Sequence, residues 1–249
     1  MTNTPPPTHP EPTPPSQPTK KRMRPAQKLT LFAVAFLALS ATAIMTTDVI
    51  LHGPPGSRNT ILNITGKGKQ PLYLPAPTFQ LTDAFNNPVS DQNLRGKVTV
   101  YNFIFTRCVL ICPMMSQRML EVQNQLLQHG DPNLIKQNVK LVSISIDGEH
   151  DTPQILNTYG YDPDRGAIAA DKDMWWFLTG PKATVWPIVE QGFKLPVESD
   201  PTADIGMQIG HSPRFVLVDQ QGKIYNYYDS ESPQDIDAML ADIARLLKN

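Results

Sequence analysis

Both cysteines of this chain fall within one stretch, Tyr101-Asn-Phe-Ile-Phe-Thr-Arg-Cys-Val-Leu-Ile-Cys-Pro-Met-Met115, and its surroundings restrict the available folds. Val98–Phe105 is short, apolar and rich in β-branched and aromatic residues, which suits a strand covered on both faces of a sheet. The cysteines follow where that strand ends. Pro113 suits the first position of a helix, where its missing N–H costs nothing. That predicts a helix to about Gln128, with Cys112 at or beside its N-cap. Free N–H groups and the helix dipole favour a thiolate there, and Arg107 adds a cation beside Cys108.

Two cysteines with three residues between them allow three chemistries. A structural disulfide would close a very small loop, and a chain of 249 residues can bury a core without it. A dithiol–disulfide redox pair suits the strand-Cys-helix context, although the spacer is one residue longer than that of thioredoxins. A soft-metal site is the third, but two thiolates alone rarely make a selective one, so a further ligand is needed.

The first quarter of the chain does not read as globular. Residues 1–28 hold nine prolines among Thr, Ser and Gln, and predict a disordered tail. Its end is basic, with Lys20, Lys21, Arg22, Arg24 and Lys28. Leu29–Thr47 then carries no charge, just enough length for a membrane-spanning helix, with the anchor placed over 29–51. The basic cluster predicts a cytoplasmic N-terminus and a folded part across the inner membrane, on the periplasmic side. Cleavage as a signal peptide near Ala41-Thr-Ala43 is the competing expectation, with the same consequence for the cysteines. Residues 52–77, rich in Gly and Pro, read as a linker to a folded domain over 78–249.

Within that domain strand and helix patterns alternate. Val139–Ile146 is a second candidate for a buried strand, and Asp151-Thr-Pro153 has the form of a helix start with Asp151 as its cap. Pro181 to about Gln191 reads as a further helix. Arg214–Val218 and Lys223–Tyr228, joined by Asp219-Gln-Gln-Gly222, form a hairpin, and Pro233–Leu247 an amphipathic helix. The sum is one α/β domain with a mixed sheet flanked by helices. Two strands joined through a helix run parallel and gather functional groups at their carboxyl ends, where Cys108 lies. An antiparallel hairpin strand begins at that same edge. His211, just before Arg214, is therefore the candidate third ligand, ahead of His9, His52, His129 and His150.

Phe105-Thr-Arg-Cys-Val-Leu-Ile-Cys-Pro113, Asp147 with Asp151-Thr-Pro153, Trp176-Phe-Leu-Thr-Gly180 and His211-Ser-Pro-Arg-Phe-Val-Leu-Val-Asp219 together resemble the Sco/SenC family of membrane-anchored, thioredoxin-like copper proteins. The resemblance covers about residues 78–248. It implies a thioredoxin-like fold in which Cys108, Cys112 and His211 bind copper, as Cu(I) or Cu(II). It also implies a partner in subunit II of cytochrome c oxidase or another envelope copper protein, with an upstream copper donor or thiol reductant. The chain departs from the family pattern at Val109-Leu110-Ile111, where Pro and an acidic residue are frequent, and at Gly210, where Asp is.

Met114, Met115 and Met207 are possible auxiliary ligands, while Asp147, Asp151, Arg107 and Arg214 are candidates for the surroundings of the site. A net charge of −1 without a basic stripe argues against nucleic acid as a partner. The rival function is an enzyme, a thiol–disulfide oxidoreductase with Cys108 as nucleophile and Cys112 as resolving thiol. His211 separates the two, since a copper carrier needs it and a dithiol exchanger does not.

Overall fold

The two strands expected from their apolar runs form the centre of the sheet. In the computed structural model β4 is Val98–Ile104 and β5 is Val139–Ser145, and every residue of both is buried. The structure describes Leu62, Ile64 and residues 66–165 and 168–248. The expected tail (1–28), the expected anchor (29–51) and the first residues of the expected linker lie outside these. No helix among the described residues is long and apolar enough to cross a membrane.

Chain order gives β1 Leu74–Pro75, β2 Gln80–Asp83 and β3 Pro88–Ser90 before β4, then helices α1 Ile111–His129 and α2 Pro132–Asn138 before β5. Helix α3 Pro153–Tyr161, β6 Trp175–Thr179 and helix α4 Lys182–Pro187 follow, the last running on as a wider turn through Ile188–Gly192. A short hairpin of β7 Val197–Ser199 and β8 Ile209–His211 precedes β9 Arg214–Val218, β10 Lys223–Asp229 and helix α5 Pro233–Leu246. Among the described residues the main sheet has eight strands in the order β1-β10-β9-β4-β5-β6-β2-β3, while β7 and β8 pair only with each other. The β4–β5 pair is parallel, as the helix crossover between them requires; β5–β6 is parallel too, and β9 runs antiparallel to β4. This is the mixed α/β sheet flanked by helices that the sequence predicts.

Helix α1 is anchored by an apolar stripe. Cys112, Met115, Met119, Val122 and Leu126 recur at intervals of three and four and are fully buried. Burying the four after Cys112 contributes, as an upper bound, roughly 6–12 kcal/mol. That face fixes where the first turn of the helix, and so Cys112, must lie. A polar thread crosses the core: Ser143 donates to Asn102 Oδ1 (2.7 Å) and accepts from Trp175 Nε1 (2.9 Å). Trp175 is fully buried, and Trp176 is half-buried with Lys140 Nζ 5.2 Å from its ring.

The ordered domain starts earlier than position 78. Lys69 N–H donates to Asp242 Oδ2 (2.7 Å), Lys69 Nζ reaches Asp235 Oδ2 (2.7 Å) and the Tyr227 carbonyl (2.9 Å), and β1 extends the sheet beside β10. Glycine and proline suggested a linker here, but Gly68 serves close approach. A Cβ on it would sit 1.8 Å from Asp242 Oδ1.

Candidate metal centre

Three elements bring the sulfur and nitrogen donors together. Cys108 lies on the loop after β4, its N–H donating to the Phe105 carbonyl (3.1 Å). Cys112 is the second residue of α1, which starts two residues ahead of Pro113 with Leu110 as its cap. Pro113 is tolerated there because the N–H groups of the first turn have no partner within the helix. His211 ends β8, opposite Val197 of β7, and so belongs to a separate hairpin and not to the start of β9. The hairpin eluded the sequence reading because its two strands are only three residues each and Asp200–Gln208 between them is rich in turn-forming Asp, Pro, Thr and Gly. That loop packs on the cysteine loop at Gly206, whose φ is +90° and where a Cβ would lie 2.5 Å from the Arg107 carbonyl oxygen.

The Cys112 N–H points at Cys108 Sγ (3.4 Å), Cys112 Sγ lies 3.1 Å from His211 Nε2, and the three donor atoms lie within 4.8 Å of one another. His211 Nδ1 faces the Ser212 carbonyl (3.2 Å), which can only accept, so the proton sits on Nδ1 and Nε2 keeps its lone pair. Both cysteines are free thiols. The Cys112 thiol, donating to Cys108, holds Cys108 well below the ordinary thiol range despite burial, with the Cys112 and Leu110 N–H groups acting the same way. Cys112 is pushed up by that same hydrogen bond, then by burial and the adjacent Cys108 charge. The pair therefore carries one thiolate, on Cys108.

Arg107 does not supply the cation expected beside Cys108. Its Nη2 (2.6 Å) and Nε (3.1 Å) both donate to Asp147 Oδ2. Nor does Asp151 cap helix α3, because Thr152 Oγ1 accepts from the Ile155 N–H (3.3 Å) as its N-cap. Asp151 instead accepts from Thr106 and Ser145, and its carboxylate was expected as a cap because nothing local in the sequence marks so distant a contact. Of the remaining candidates, Met115 is core, Met114 packs partly buried on the core, and Met207 and Arg214 are exposed. His129 closes α1, and His9 and His52 lie outside the described residues.

Two sulfurs and one imidazole form a donor set for a soft metal ion. At bond lengths of about 2.0–2.3 Å, three donors in a plane around an ion stand about 3.5–4 Å apart. The observed spread needs side-chain adjustments of under about 1 Å to reach that, so the residues fit such an ion. The donors lie just beneath the surface: Cys108 is 8 % exposed, and the next two residues, Val109 and Leu110, are 61 % and 62 % exposed.

Among curated relatives, a SCO1 protein homolog of Bacillus subtilis is 28% identical over 70% of this chain and 84% of its own length. A putative copper-binding protein of Stutzerimonas stutzeri is 27% identical over 77% of this chain and 86% of its own. The solved structure of BsSco, described as a member of the Sco family of cytochrome c oxidase assembly proteins with a disulfide switch, superposes with a TM-score of 0.58. It is 28% identical and covers 72% of this chain and 96% of that one. The family model for SCO1/SenC matches residues 68–248, a span that includes β1, both cysteines, His211 and α5, and the chain belongs to that family.

Proposed function

We propose that this protein is a membrane-anchored copper metallochaperone that holds one copper ion as cargo through Cys108, Cys112 and His211. In this reading it delivers the ion to, or matures, the binuclear copper site in subunit II of cytochrome c oxidase. The anchor over 29–51 would hold the folded domain on the periplasmic face of the inner membrane. The observation that carries the reading is the approach of His211 Nε2, with its lone pair free, to 3.1 Å from Cys112 Sγ on a separate element. A dithiol exchanger has no need of that imidazole.

The residues divide the work. Cys108 already bears the charge that a cation attracts, and Cys112 gives up its proton as the cation enters, so copper uptake releases protons and weakens in acid. His211 completes the set from the β7–β8 hairpin and is held in the required tautomer by Ser212. An acceptor thiolate that reaches Cys108 past the exposed Val109 and Leu110 can displace one donor at a time while α1 and β8 stay in place.

A second reading, thiol–disulfide exchange, is favoured by the asymmetry of the pair. The Cys108 thiolate attacks one sulfur of a partner disulfide and releases the other as a thiolate. Cys112 passes its proton to that leaving group and, as a thiolate, attacks Cys108, freeing the second partner sulfur as a thiolate and leaving a Cys108–Cys112 disulfide here. Two electrons pass to the partner. Copper stoichiometry of the reduced full-length protein, beside that of His211→Ala, tests the choice. One tightly held copper that the variant loses supports the chaperone. No copper in wild type with retained disulfide exchange, or an unaffected variant, supports the oxidoreductase.

A further inference from the structure

Of the three donors only Cys108 sits on a loop. Cys112 is set by α1 and His211 by β8, so the position of Cys108 depends on what fastens Thr106 and Arg107. Thr106 is fastened by a carboxylate remote in sequence. Asp151, with no exposed surface, accepts from the Thr106 N–H (3.0 Å), the Thr106 hydroxyl and the Ser145 hydroxyl (2.6 Å), and faces His150 Nδ1 at 2.9 Å. A carboxylate so deeply buried costs several kcal/mol unless donors replace its water, and removing one partner is strongly destabilising. Two of its four donors belong to the residue two positions before Cys108. Ser145 also accepts the Asp147 N–H (3.1 Å), and Asp147 holds Arg107, so the loop after β5 ties down both residues that lead to Cys108.

We propose that Asp151 is a positioning residue for Cys108. Acting through Thr106, it fixes the loop that places the Cys108 sulfur beside Cys112 and His211, so copper retention depends on a carboxylate that touches none of the donors. This rests on the copper reading above. It sets Asp151 apart from the core polar thread at Asn102 and Ser143, which ties strand to strand and leaves the loop alone.

The test uses the reduced full-length protein with Cu(I) and a competing chelator, comparing wild type, Asp151→Asn, Thr106→Ala and the double variant. Each single change weakens copper binding 10–100-fold, the range found when a partner of a metal ligand is removed. The double variant is no weaker than Asp151→Asn, because both act through one contact. In copper-free protein, iodoacetamide labels Cys108 faster in the variants while the rate at Cys112 is unchanged; general loosening of the fold would raise both. Copper affinity within threefold of wild type in a folded variant, additive losses, or parallel acceleration at both cysteines overturns the proposal. If Asp151→Asn does not fold, Thr106→Ala, which leaves the carboxylate in place, decides alone. If wild type holds no copper, the copper reading fails, and selective labelling of Cys108 still decides the positioning role.

Discussion

Two groups of potential ligands lie at the carboxyl ends of the parallel strands β4 and β5, and they are built in opposite ways. Cys108, Cys112 and His211 gather soft donors whose partners are chiefly one another, a backbone N–H and a free lone pair. Asp147, His150 and Asp151 come equally close, yet their oxygens already receive Arg107, Thr106, Ser145 and His150. Proximity of ligand atoms alone does not make a metal site. A cation entering the first group displaces a thiol proton, whereas one entering the second must break several charge-assisted hydrogen bonds in a poorly hydrated place. The carboxylate group thus works as framework for the thiol group.

The largest effect that would sharpen this contrast is expected from Cys112→Ser. It removes a direct donor, so the loss in copper affinity exceeds about 100-fold, beyond that for a ligand's partner. Chelator competition on the reduced protein measures it. A loss under tenfold would place the metal elsewhere and dissolve the distinction between the groups.

Much of this arrangement was legible in the sequence because it follows from short-range rules. Uninterrupted apolar runs announced β4 and β5, the strand-helix-strand order made them parallel, and the place of His211 just ahead of antiparallel β9 put it within reach of Cys108, although His211 itself pairs in the β7–β8 hairpin. What escaped are contacts between residues far apart in the chain. Lys69 reaches Asp235 and Asp242 across more than 160 positions, so a Gly- and Pro-rich stretch looked like linker. Arg107, adjacent to Cys108 in sequence, turns to Asp147, and Asp151, placed like a helix cap, turns to Thr106. For charged side chains local pattern shows where they are, while the partner is chosen by the fold.

A smaller effect lies in the pH dependence of the reduced, copper-free protein. The folded pKa of Cys108 is held down to about 4 by the Cys112 hydrogen bond, against an ordinary thiol value of 9.0. Between these values the unfolded chain binds a proton that the folded chain does not, so stability rises with pH, is complete above the unfolded value and is lost as pH falls through the folded one. Cys112, shifted upward, acts in the opposite sense in alkali, where unfolding releases its proton. The melting temperature should therefore climb through the neutral range, and Cys108→Ala should flatten the climb. An unchanged slope in Cys108→Ala would mean that the pair does not carry its charge on Cys108, and would make the thiol group as self-satisfied as the carboxylate one.

The smallest effects come from probing the carboxylate group itself. The Arg107 side chain is 38% exposed, and such an ion pair contributes up to about 1 kcal/mol, so Arg107→Ala should lower the melting temperature by roughly 2–4 °C. The same variant uncovers Asp147 and gives a hard cation its best chance. Were the group a cation site masked by Arg107, millimolar Mn2+ or Ca2+ would stabilise the variant by mass action, by about 2.7 kcal/mol at a hundred times the dissociation constant. No shift is expected in wild type or in the variant, because Thr106, Ser145 and His150 still fill Asp151 when Arg107 is gone. A rise of several degrees in wild type would break the comparison, since the second group would then be a metal site in its own right. A rise only in Arg107→Ala would locate the whole difference in one guanidinium, which withholds Asp147 from a cation while its neighbours hold the cysteine loop.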